Sequence, residues 1–286
     1  MRLGKYDTSN IRVRSGGGGG LPGGRGGGIG CGAIVIALVA YFVFGLDPMQ
    51  TIGTIDGMQS GSPQQQQASN VSEEDVCSSG PYATEACNAL QSLNQTWEPE
   101  FRRAGIRFKD PILTLYSGNV STQGCGSASS AAGPFYCPAD MGIYIDTSFY
   151  DQMSRQMGAG GDFARYYVMA HEYGHHIQNL TGLAAQVRSA QSQNRAQANQ
   201  LQVRMELQAD CYAGVWAGKN RNLIEPGDME EGLRAASAIG DDTLMRNAGR
   251  RISPENFTHG TSAQRMEALR SGLEAANDSV CDRYFQ

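Results

Sequence analysis

The sequence predicts a mainly α (α+β) protein, in which a folded domain with a small sheet follows a single membrane-spanning helix. Apolar residues recur every three to four positions through much of the second half of the chain, the spacing of amphipathic helices. Strand-like runs are few and short. One uncharged apolar stretch near the start is just long enough to cross a bilayer.

The first 76 residues divide into three parts of different composition. Residues 1–28 contain eleven glycines and five basic residues against one acidic residue, so we expect a disordered tail. Residues 29–46 are uncharged and apolar, and we expect a transmembrane helix there. Residues 47–76 are polar and include four consecutive glutamines, which is the composition of a linker.

We interpret the apolar segment as an uncleaved anchor rather than a cleaved signal peptide. Its basic flank and its apolar run are both long, and no small-x-small cleavage site clearly ends it before Asp47. Cys31 precedes the apolar run, which argues against a lipid-modified, cleaved N-terminus. Positive charge before the span predicts a cytoplasmic N-terminus and a domain on the other side of the membrane.

The remaining residues, 77–286, are enough for one domain with its own core. The chain has a formal net charge of −5, which gives no electrostatic case for nucleic acid binding. Within the domain, Ile112–Tyr116 and Gly142–Asp146 have strand patterns. Gly142–Asp146 fits the edge of a sheet, where a strand can pair with an extended peptide, and it fits an ordinary sheet strand equally well.

Helical patterns cover most of the rest of the domain. They span residues 86–97, 183–218 as one helix or two, 228–248 and 262–276.

Six of the seven cysteines lie in this domain, and an even number in an exported domain predicts disulfides. Cys125 and Cys137 flank a loop rich in Gly, Ser and Ala and are the first expected pair; Cys77 and Cys87 are the second. Cys211 can be a buried thiol. The spacing of the cysteines does not match a CxxC redox or zinc motif, so we expect no metal site formed by cysteines.

The most informative stretch runs from Ala170 to His176 and contains H-E-x-x-H, with three of the four histidines of the chain. Residues i and i+4 share a helix face, so His171 and His175 can both point a ring nitrogen at one metal ion. Glu172 borders that ion without having to bind it, and a carboxylate there can take a proton from water activated by the metal. The alternative is a pair of solvated histidines on a helix surface.

The context of this motif is helical. Asp162 is a credible N-cap, apolar residues follow at three-to-four spacing, and Thr181-Gly182 is expected to stop the helix. The histidines therefore lie in the middle of a helix, where the backbone can hold a metal site rigidly.

A catalytic zinc ion takes three protein ligands and keeps a fourth position for water. Gln178 and Thr181 occupy the positions where the metzincin extension requires Gly and His, which excludes that class. Glu206 lies on a second predicted helix as the third ligand, and Asp210, one turn later, is placed to accept the spare N–H of a ligand histidine. A surface pair of acids is the alternative, which the apolar neighbours of these residues disfavour.

The fourth histidine, His259, precedes a helix whose N-cap is Thr261 or Ser262. A loop histidine near the metal can donate a hydrogen bond to the oxyanion that forms when water attacks a carbonyl. The alternative for His259 is an ordinary surface histidine. For Arg265, one to two turns into the same helix, the sequence suggests only a salt bridge.

Four ordered stretches read H-E-Y-G-H-H-I-Q, E-L-Q-A-D-C-Y-A-G-V-W-A, G-P-F-Y-C-P-A-D with I-Y-I-D, and T-H-G-T-S-A-Q-R. Together they resemble the putative neutral zinc metallopeptidase family of bacteria, whose members also have a glycine-rich, basic N-terminus and a single span. The resemblance covers nearly the whole chain. It implies a zinc-dependent peptidase whose folded part is a zincin-like metallopeptidase domain with a gluzincin-like H-E-x-x-H plus Glu pattern.

By this resemblance His171, His175 and Glu206 match the ligands of one catalytic Zn²⁺, Glu172 matches the acid/base, and Asp210 matches the supporting carboxylate. His259 falls in the family motif H-G-x-S-A-Q-R, with Thr261 at the variable position.

The expected function is hydrolysis of peptide bonds in a peptide or protein substrate. The protein is expected at the bacterial inner (cytoplasmic) membrane as a single-pass protein, with its N-terminus cytoplasmic and its catalytic domain periplasmic. Two alternatives stay open: a non-hydrolytic metal-binding membrane scaffold or chaperone that binds extended peptides, and a structural protein with an accidental motif. The sequence makes no prediction of the oligomeric state.

Overall fold

The computed structural model describes residues 1–16 and 71–286. In these residues the α-helices are α1 Glu73–Cys77, α2 Pro81–Arg103, α3 Ser148–Gln156, α4 Asp162–Leu180, α5 Leu183–Gln193, α6 Ala198–Lys219, α7 Asp228–Ala238, α8 Asp241–Asn247 and α9 Ser262–Ala275. The strands are β1 Val13–Gly16, β2 Ile112–Tyr116, β3 Asn119–Ser121, β4 Ser127–Ser129, β5 Phe135–Cys137 and β6 Gly142–Asp146. Short 3-10 turns lie at Thr8–Asn10, Ser130–Ala132, Arg195–Gln197, Arg221–Leu223, Pro254–Asn256 and Asp278–Tyr284.

The prediction of a mainly helical protein with a small sheet is confirmed. The main sheet has the order β1-β2-β6-β5, in which β1, β2 and β6 are parallel and β5 is antiparallel to β6. Strands β3 and β4 form a separate antiparallel pair. Both predicted strands, β2 and β6, have the predicted bounds.

Of the two alternatives for Gly142–Asp146, the ordinary sheet strand is correct and the edge strand is wrong. This strand, β6, pairs with β2 on one side and with β5 on the other, and all five of its residues are buried. The sheet ends in β1 on one side and in β5 on the other, and β5 is a strand of three residues with prolines directly on both sides. A run this short, next to residues that cannot donate to a ladder, carries no strand signal in the sequence.

The expected disorder of residues 1–28 is wrong for the part that the structure describes. Strand β1 pairs with β2, and Met1, Tyr6, Ile11 and Val13 are buried in the main core. Most of the glycines of the tail follow residue 15, so a composition averaged over 28 residues concealed an ordered first half. The expected linker is also shorter than residues 47–76, because α1 begins at Glu73 with a capping box from Ser72 to Asp75.

The position of β1 bears on the expected membrane topology. Residues 1–16 pack against the domain formed by residues 71–286, whereas the expected topology puts the two on opposite sides of a membrane. The expected span, residues 29–46, lies outside the described residues. Within residues 1–16 and 71–286, no helix is both long enough and apolar enough to cross a bilayer.

The helices differ from their predicted bounds mainly where the chain turns. The predicted helix 86–97 is the centre of α2, residues 183–218 form α5 and α6, and residues 228–248 form α7 and α8. The last helix agrees, and Thr261 caps it with a reciprocal bond pair to Gln264. Helix α4 ends as predicted, but Gly161 is its N-cap and Asp162 its first helical residue.

The structure contains three disulfides in its described part. The predicted pairs Cys77–Cys87 and Cys125–Cys137 are confirmed. The interpretation of Cys211 as a buried thiol is wrong, since it bonds Cys281, 70 residues further on, in the C-terminal 3-10 segment. That segment packs on α6, and no local spacing in the sequence indicates so distant a partner.

Helices α4 and α6 cross at a glycine in the H-E-x-x-H motif. A β-carbon added at Gly174 would lie 2.8 Å from the Cα and 2.9 Å from the backbone oxygen of Ala209, closer than van der Waals contact allows. The absence of a side chain at this one position therefore sets the distance between the two helices. Because Gly174 precedes His175 and Ala209 precedes Asp210, the crossing brings the two predicted halves of the site together.

Candidate active site

The candidate site lies on one face of α4, at the bottom of a cleft bounded by α5, α6, β5 and the loop that carries His259. The motif residues His171, Glu172 and His175 lie in this cleft, together with Glu206 from α6. Much of the remaining lining is apolar and includes Phe135, Phe149, Met157, Val168, Val187 and Met205. The cleft thus offers a polar floor between apolar walls, as ligand-binding clefts commonly do.

The three expected metal ligands converge. The Glu206 Oε2 atom lies 3.0 Å from His171 Nε2 and 3.5 Å from His175 Nε2. One ligand atom from each of the three residues lies within 4.8 Å of the other two. Two imidazole nitrogens and one carboxylate are the donor set of a catalytic zinc site, so the residues present fit this ion.

The Asp210 carboxylate supports His171 from behind. His171 Nδ1 lies 2.7 Å from Asp210 Oδ1, and Tyr167 donates its hydroxyl hydrogen to the same oxygen at 2.6 Å. Arg265 donates to both carboxylate oxygens, at 2.8 and 2.9 Å. The predicted supporting role of Asp210 therefore matches its position, and the salt bridge suggested for Arg265 is formed with this residue.

These contacts displace several pKa values. Burial raises the pKa of Asp210, but Arg265 and His171 outweigh it and lower the pKa to about 2. Burial lowers the pKa of His171, but Asp210 and Glu206 outweigh it and raise the pKa to about 10. Burial likewise opposes ionisation of Glu206, yet the two histidines hold its pKa well below the usual range. Without metal, these shifts favour a protonated, positively charged His171 imidazole beside the ionised Glu206 carboxylate.

His175 has a different partner from His171. Its Nδ1 lies 2.9 Å from the side-chain oxygen Oε1 of Gln178, one helical turn further along α4. The sequence argument used Gln178 only to exclude the metzincin pattern and did not predict this contact. A residue three positions after a ligand histidine is a helical neighbour, so the spacing was available as a signal.

Glu172 lines the cleft without joining the ligand cluster. Its side chain is buried, with 7 % of the residue's surface exposed. Burial raises the pKa of Glu172, partly offset by the two motif histidines. A carboxylate with a raised pKa beside a metal site is suited to accepting and returning a proton near neutral pH.

His259 lines the same cleft and is 7 % exposed, so the surface alternative for this residue is wrong. Asp241 holds its loop by accepting three backbone N–H bonds, from Thr258, His259 and Gly260, at 2.8, 2.7 and 3.0 Å. The ring Nδ1 of His259 lies 3.1 Å from Asp241 Oδ1. Sequence reasoning missed Asp241, which begins a helix eighteen residues before His259 and has no motif of its own.

The third histidine of the motif window, His176, does not belong to the site. Its Nε2 lies 2.7 Å from the Lys109 carbonyl oxygen, and its Nδ1 lies 2.9 Å from the hydroxyl of Tyr136. Burial lowers the pKa of His176 to about 4, so the ring is neutral at physiological pH. Its position one residue past His175 turns it about 100° around the helix, towards β5.

The helix crossing gives a direct test of this geometry. We expect Gly174→Ala to lower the melting temperature and to weaken zinc binding, because the methyl group would collide with the backbone at Ala209. Overpacking costs about 1–3 kcal/mol, at least as much as the roughly 1 kcal/mol that Ala gains over Gly in a helix. Thermal unfolding and a zinc titration measure the two effects.

Gly80→Ala is the matched control, since Gly80 has an extended φ of 169° and open space around its β-position. Wild-type stability and zinc affinity in Gly174→Ala would show that the crossing distance does not set the site.

The fold and the site together define a mainly helical domain with a candidate metal centre of two histidines and one glutamate. The chain belongs to the family described as "Putative neutral zinc metallopeptidase", whose model matches residues 4–284.

Two relatives from different bacteria are similar to this chain in sequence. The uncharacterized protein YpfJ of Escherichia coli K12 is 40 % identical over 297 residues, 98 % of this chain and 97 % of the relative. The uncharacterized protein Rv2575 of Mycobacterium tuberculosis H37Rv is 40 % identical over 206 residues, 68 % of this chain and 67 % of the relative. Among solved structures, no significant match is found.

Proposed function

We propose that the protein is a zinc-dependent peptidase that hydrolyses peptide bonds with water. One observation carries the proposal: a glutamate from α6 meets both motif imidazoles, with the Glu172 carboxylate in the same cleft. The membership of the family supports it. An accidental motif has no reason to be completed by a third ligand from a separate helix.

The protein residues divide the chemistry between them. His171, His175 and Glu206 hold the ion, and when bound, zinc makes water a stronger acid and polarises a carbonyl group. Glu172 takes a proton from the attacking water and returns it to the leaving amine. No residue has to form a covalent bond to the substrate.

His259 is proposed as a hydrogen-bond donor to the oxyanion. Its Nδ1 faces Asp241, which leaves Nε2 as the ring atom that can face the cleft. Donation from Nε2 requires the imidazolium form, in which each ring nitrogen carries a proton, one for Asp241 and one for the oxyanion. A histidine held by a buried carboxylate is oriented before the reaction begins, and preorganised donors are the ones that stabilise a developing charge. The bonds from Asp241 to three successive backbone N–H groups fix the loop that carries the ring.

The position of β5 supports an extended peptide as substrate. Phe135 and Tyr136 line the cleft, and β5 pairs with β6 on one side, so its other side forms the edge of the sheet. A peptide can add to such an edge through main-chain hydrogen bonds, which are independent of its sequence. The apolar walls would then select among side chains.

The three disulfides support a proposal about location. Disulfides persist in oxidising compartments and are rare in the cytosol. We therefore place the described domain, including β1, outside the cytoplasm. The expected cytoplasmic N-terminus and single-pass span through residues 29–46 are not part of this proposal.

The test is digestion of casein and of a peptide library by the purified full chain. We expect cleavage that a chelator abolishes and that added zinc restores, and no cleavage by His175→Ala, which lacks one ligand. Fragment masses then identify the bonds that are cut. Stoichiometric zinc with peptide binding but no cleavage would overturn the proposal in favour of a scaffold or chaperone, and absence of bound metal would overturn both.

A further inference from the structure

We infer that Gln178 and Gln208 are positioning residues that hold the ligand His175 in its metal-binding orientation and tautomer. The inference rests on the metal site of the proposed function, and it concerns residues that the ligand pattern does not include. It begins from a contrast between the two motif histidines: Asp210 supports His171, whereas a neutral amide supports His175.

A chain of hydrogen bonds leads away from His175 through buried side chains. His175 Nδ1 lies 2.9 Å from Gln178 Oε1. Gln178 Nε2 donates to the Gln208 Oε1 atom at 3.0 Å and to the Met205 carbonyl at 2.8 Å. Gln208 Nε2 donates to the Cys281 carbonyl at 3.2 Å. Gln178, Gln208 and Cys281 are 0 %, 2 % and 0 % exposed, so water cannot replace a lost bond without opening the core.

The direction of this chain follows from its ends. A backbone carbonyl only accepts, so the amide nitrogen of Gln208 must face Cys281 and its oxygen must face Gln178. The Met205 carbonyl independently requires the amide nitrogen of Gln178 on that side. The oxygen of Gln178 is then directed at His175, which must donate from Nδ1. The proton on Nδ1 leaves the lone pair of Nε2 free for a metal ion.

The Cys281 carbonyl, the last acceptor in this series of hydrogen bonds, belongs to a residue that a disulfide holds in place. Cys281 is bonded to Cys211, which lies on α6 three residues after Gln208. The disulfide ties the C-terminal 3-10 segment to the helix that carries Glu206, so the Cys281 carbonyl stays in register with the amide that it orients. Without this tie, the segment near the chain end would be free to fray.

The amide at position 178 also suits the charge of the site. Glu172, Glu206 and Asp210 are already buried there, with Arg265 as the one buried guanidinium that the structure describes in this cluster. A carboxylate at position 178, in the role that Asp210 has behind His171, would add a buried negative charge with no further cation to balance it. An amide fixes the same tautomer at no cost in charge, provided that its own donor hydrogens are satisfied, which Met205 and Gln208 accomplish.

The test measures zinc binding and proton exchange in the full chain, independently of hydrolysis. We expect Gln208→Leu, which touches neither metal nor ligand, to lower zinc affinity about tenfold to hundredfold, as measured by competition with a chromogenic chelator. In the zinc-loaded protein, the Nδ1 proton of His175 should exchange with solvent faster in this variant. The Nδ1 proton of His171, bound to Asp210, should keep its wild-type protection and serves as an internal reference.

Asn94→Leu is the matched control. Asn94 is another buried amide, which accepts from Tyr173 of α4 and donates to the Asn10 carbonyl, away from the metal ligands. It should lose stability but keep wild-type zinc affinity. If Gln208→Leu does not fold, Gln208→Met replaces it, because a thioether of similar length has no hydrogen to donate to the Cys281 carbonyl. Equal zinc affinity and equal His175 protection in wild type and variant would overturn the inference.

Failure of the proposed function has a different signature. If wild type binds zinc but cleaves nothing, the peptidase proposal fails while the positioning roles remain measurable. If wild type binds zinc and cleaves peptides but the Gln208 variants are indistinguishable from it, the inference fails alone.

Discussion

Glu172→Gln is expected to bind zinc as wild type does and to lose peptide hydrolysis by about a thousandfold or more, within the range that a general base contributes. The substitution removes the carboxylate that accepts the proton of water but keeps the shape of the side chain. Glu172 is not among the converging ligand atoms, so the metal site should stay intact. Zinc content by elemental analysis and kcat/KM on a fluorogenic peptide are the two measurements.

Glu85→Gln is the matched control for this substitution. Glu85 binds Arg165 of α4 through a charge-assisted bond pair, at a distance from the cleft lining. Its replacement should lower stability modestly and leave kcat/KM unchanged. Full activity in Glu172→Gln would reject Glu172 as the base and would require another proton acceptor in the cleft.

Glu206→Ala is expected to lose zinc affinity by about a hundredfold to a thousandfold. A structural site with four ligands is worth about 10–16 kcal/mol, or roughly 3–4 kcal/mol for each ligand. Removing Glu206 also takes away the carboxylate that faces both Nε2 atoms, which leaves two imidazoles and no charge compensation on that side. Isothermal titration with zinc, with chelator competition for the wild type, measures the difference.

The pH dependence of wild-type binding supplies a second measurement of the same site. Without metal the pKa of His171 is about 10, so at neutral pH a proton occupies the imidazole and zinc must displace it. Affinity should therefore rise with pH, by about tenfold per unit for this one proton, until the pH reaches 10. In Glu206→Ala one cause of the raised pKa of His171 is gone, so the rise of affinity with pH should level off at a lower pH. A pH-independent affinity in the wild type would contradict the proton-bound cluster.

Much of the site could be predicted because it depends on short-range helix geometry. Residues four apart on a helix share a face whatever surrounds them, so H-E-x-x-H by itself places two imidazoles together. The apolar neighbours of Glu206 and Asp210 indicated that these acids are buried, and buried acids need cationic partners. Two of the disulfides could be predicted because their cysteines are close in the sequence, ten and twelve residues apart.

Features that depend on distant segments could not be predicted in the same way. Strand β1 is ordered because it pairs with β2 and because Ile11 and Val13 are buried in the main core. The composition of residues 1–28 indicates neither contact. The Cys211–Cys281 bond depends on how the C-terminal segment returns to α6.

The amino-acid sequence alone determined which groups make up the candidate metal site, since residue type and helical spacing are local properties. Only the tertiary structure decided how those groups are held. The approach of α4 to α6 at Gly174, the Asp241 carboxylate behind His259 and the two glutamines behind His175 all join residues from separate elements. Such contacts follow from the packing of whole helices, in which a buried polar group takes whichever partner the fold places within reach.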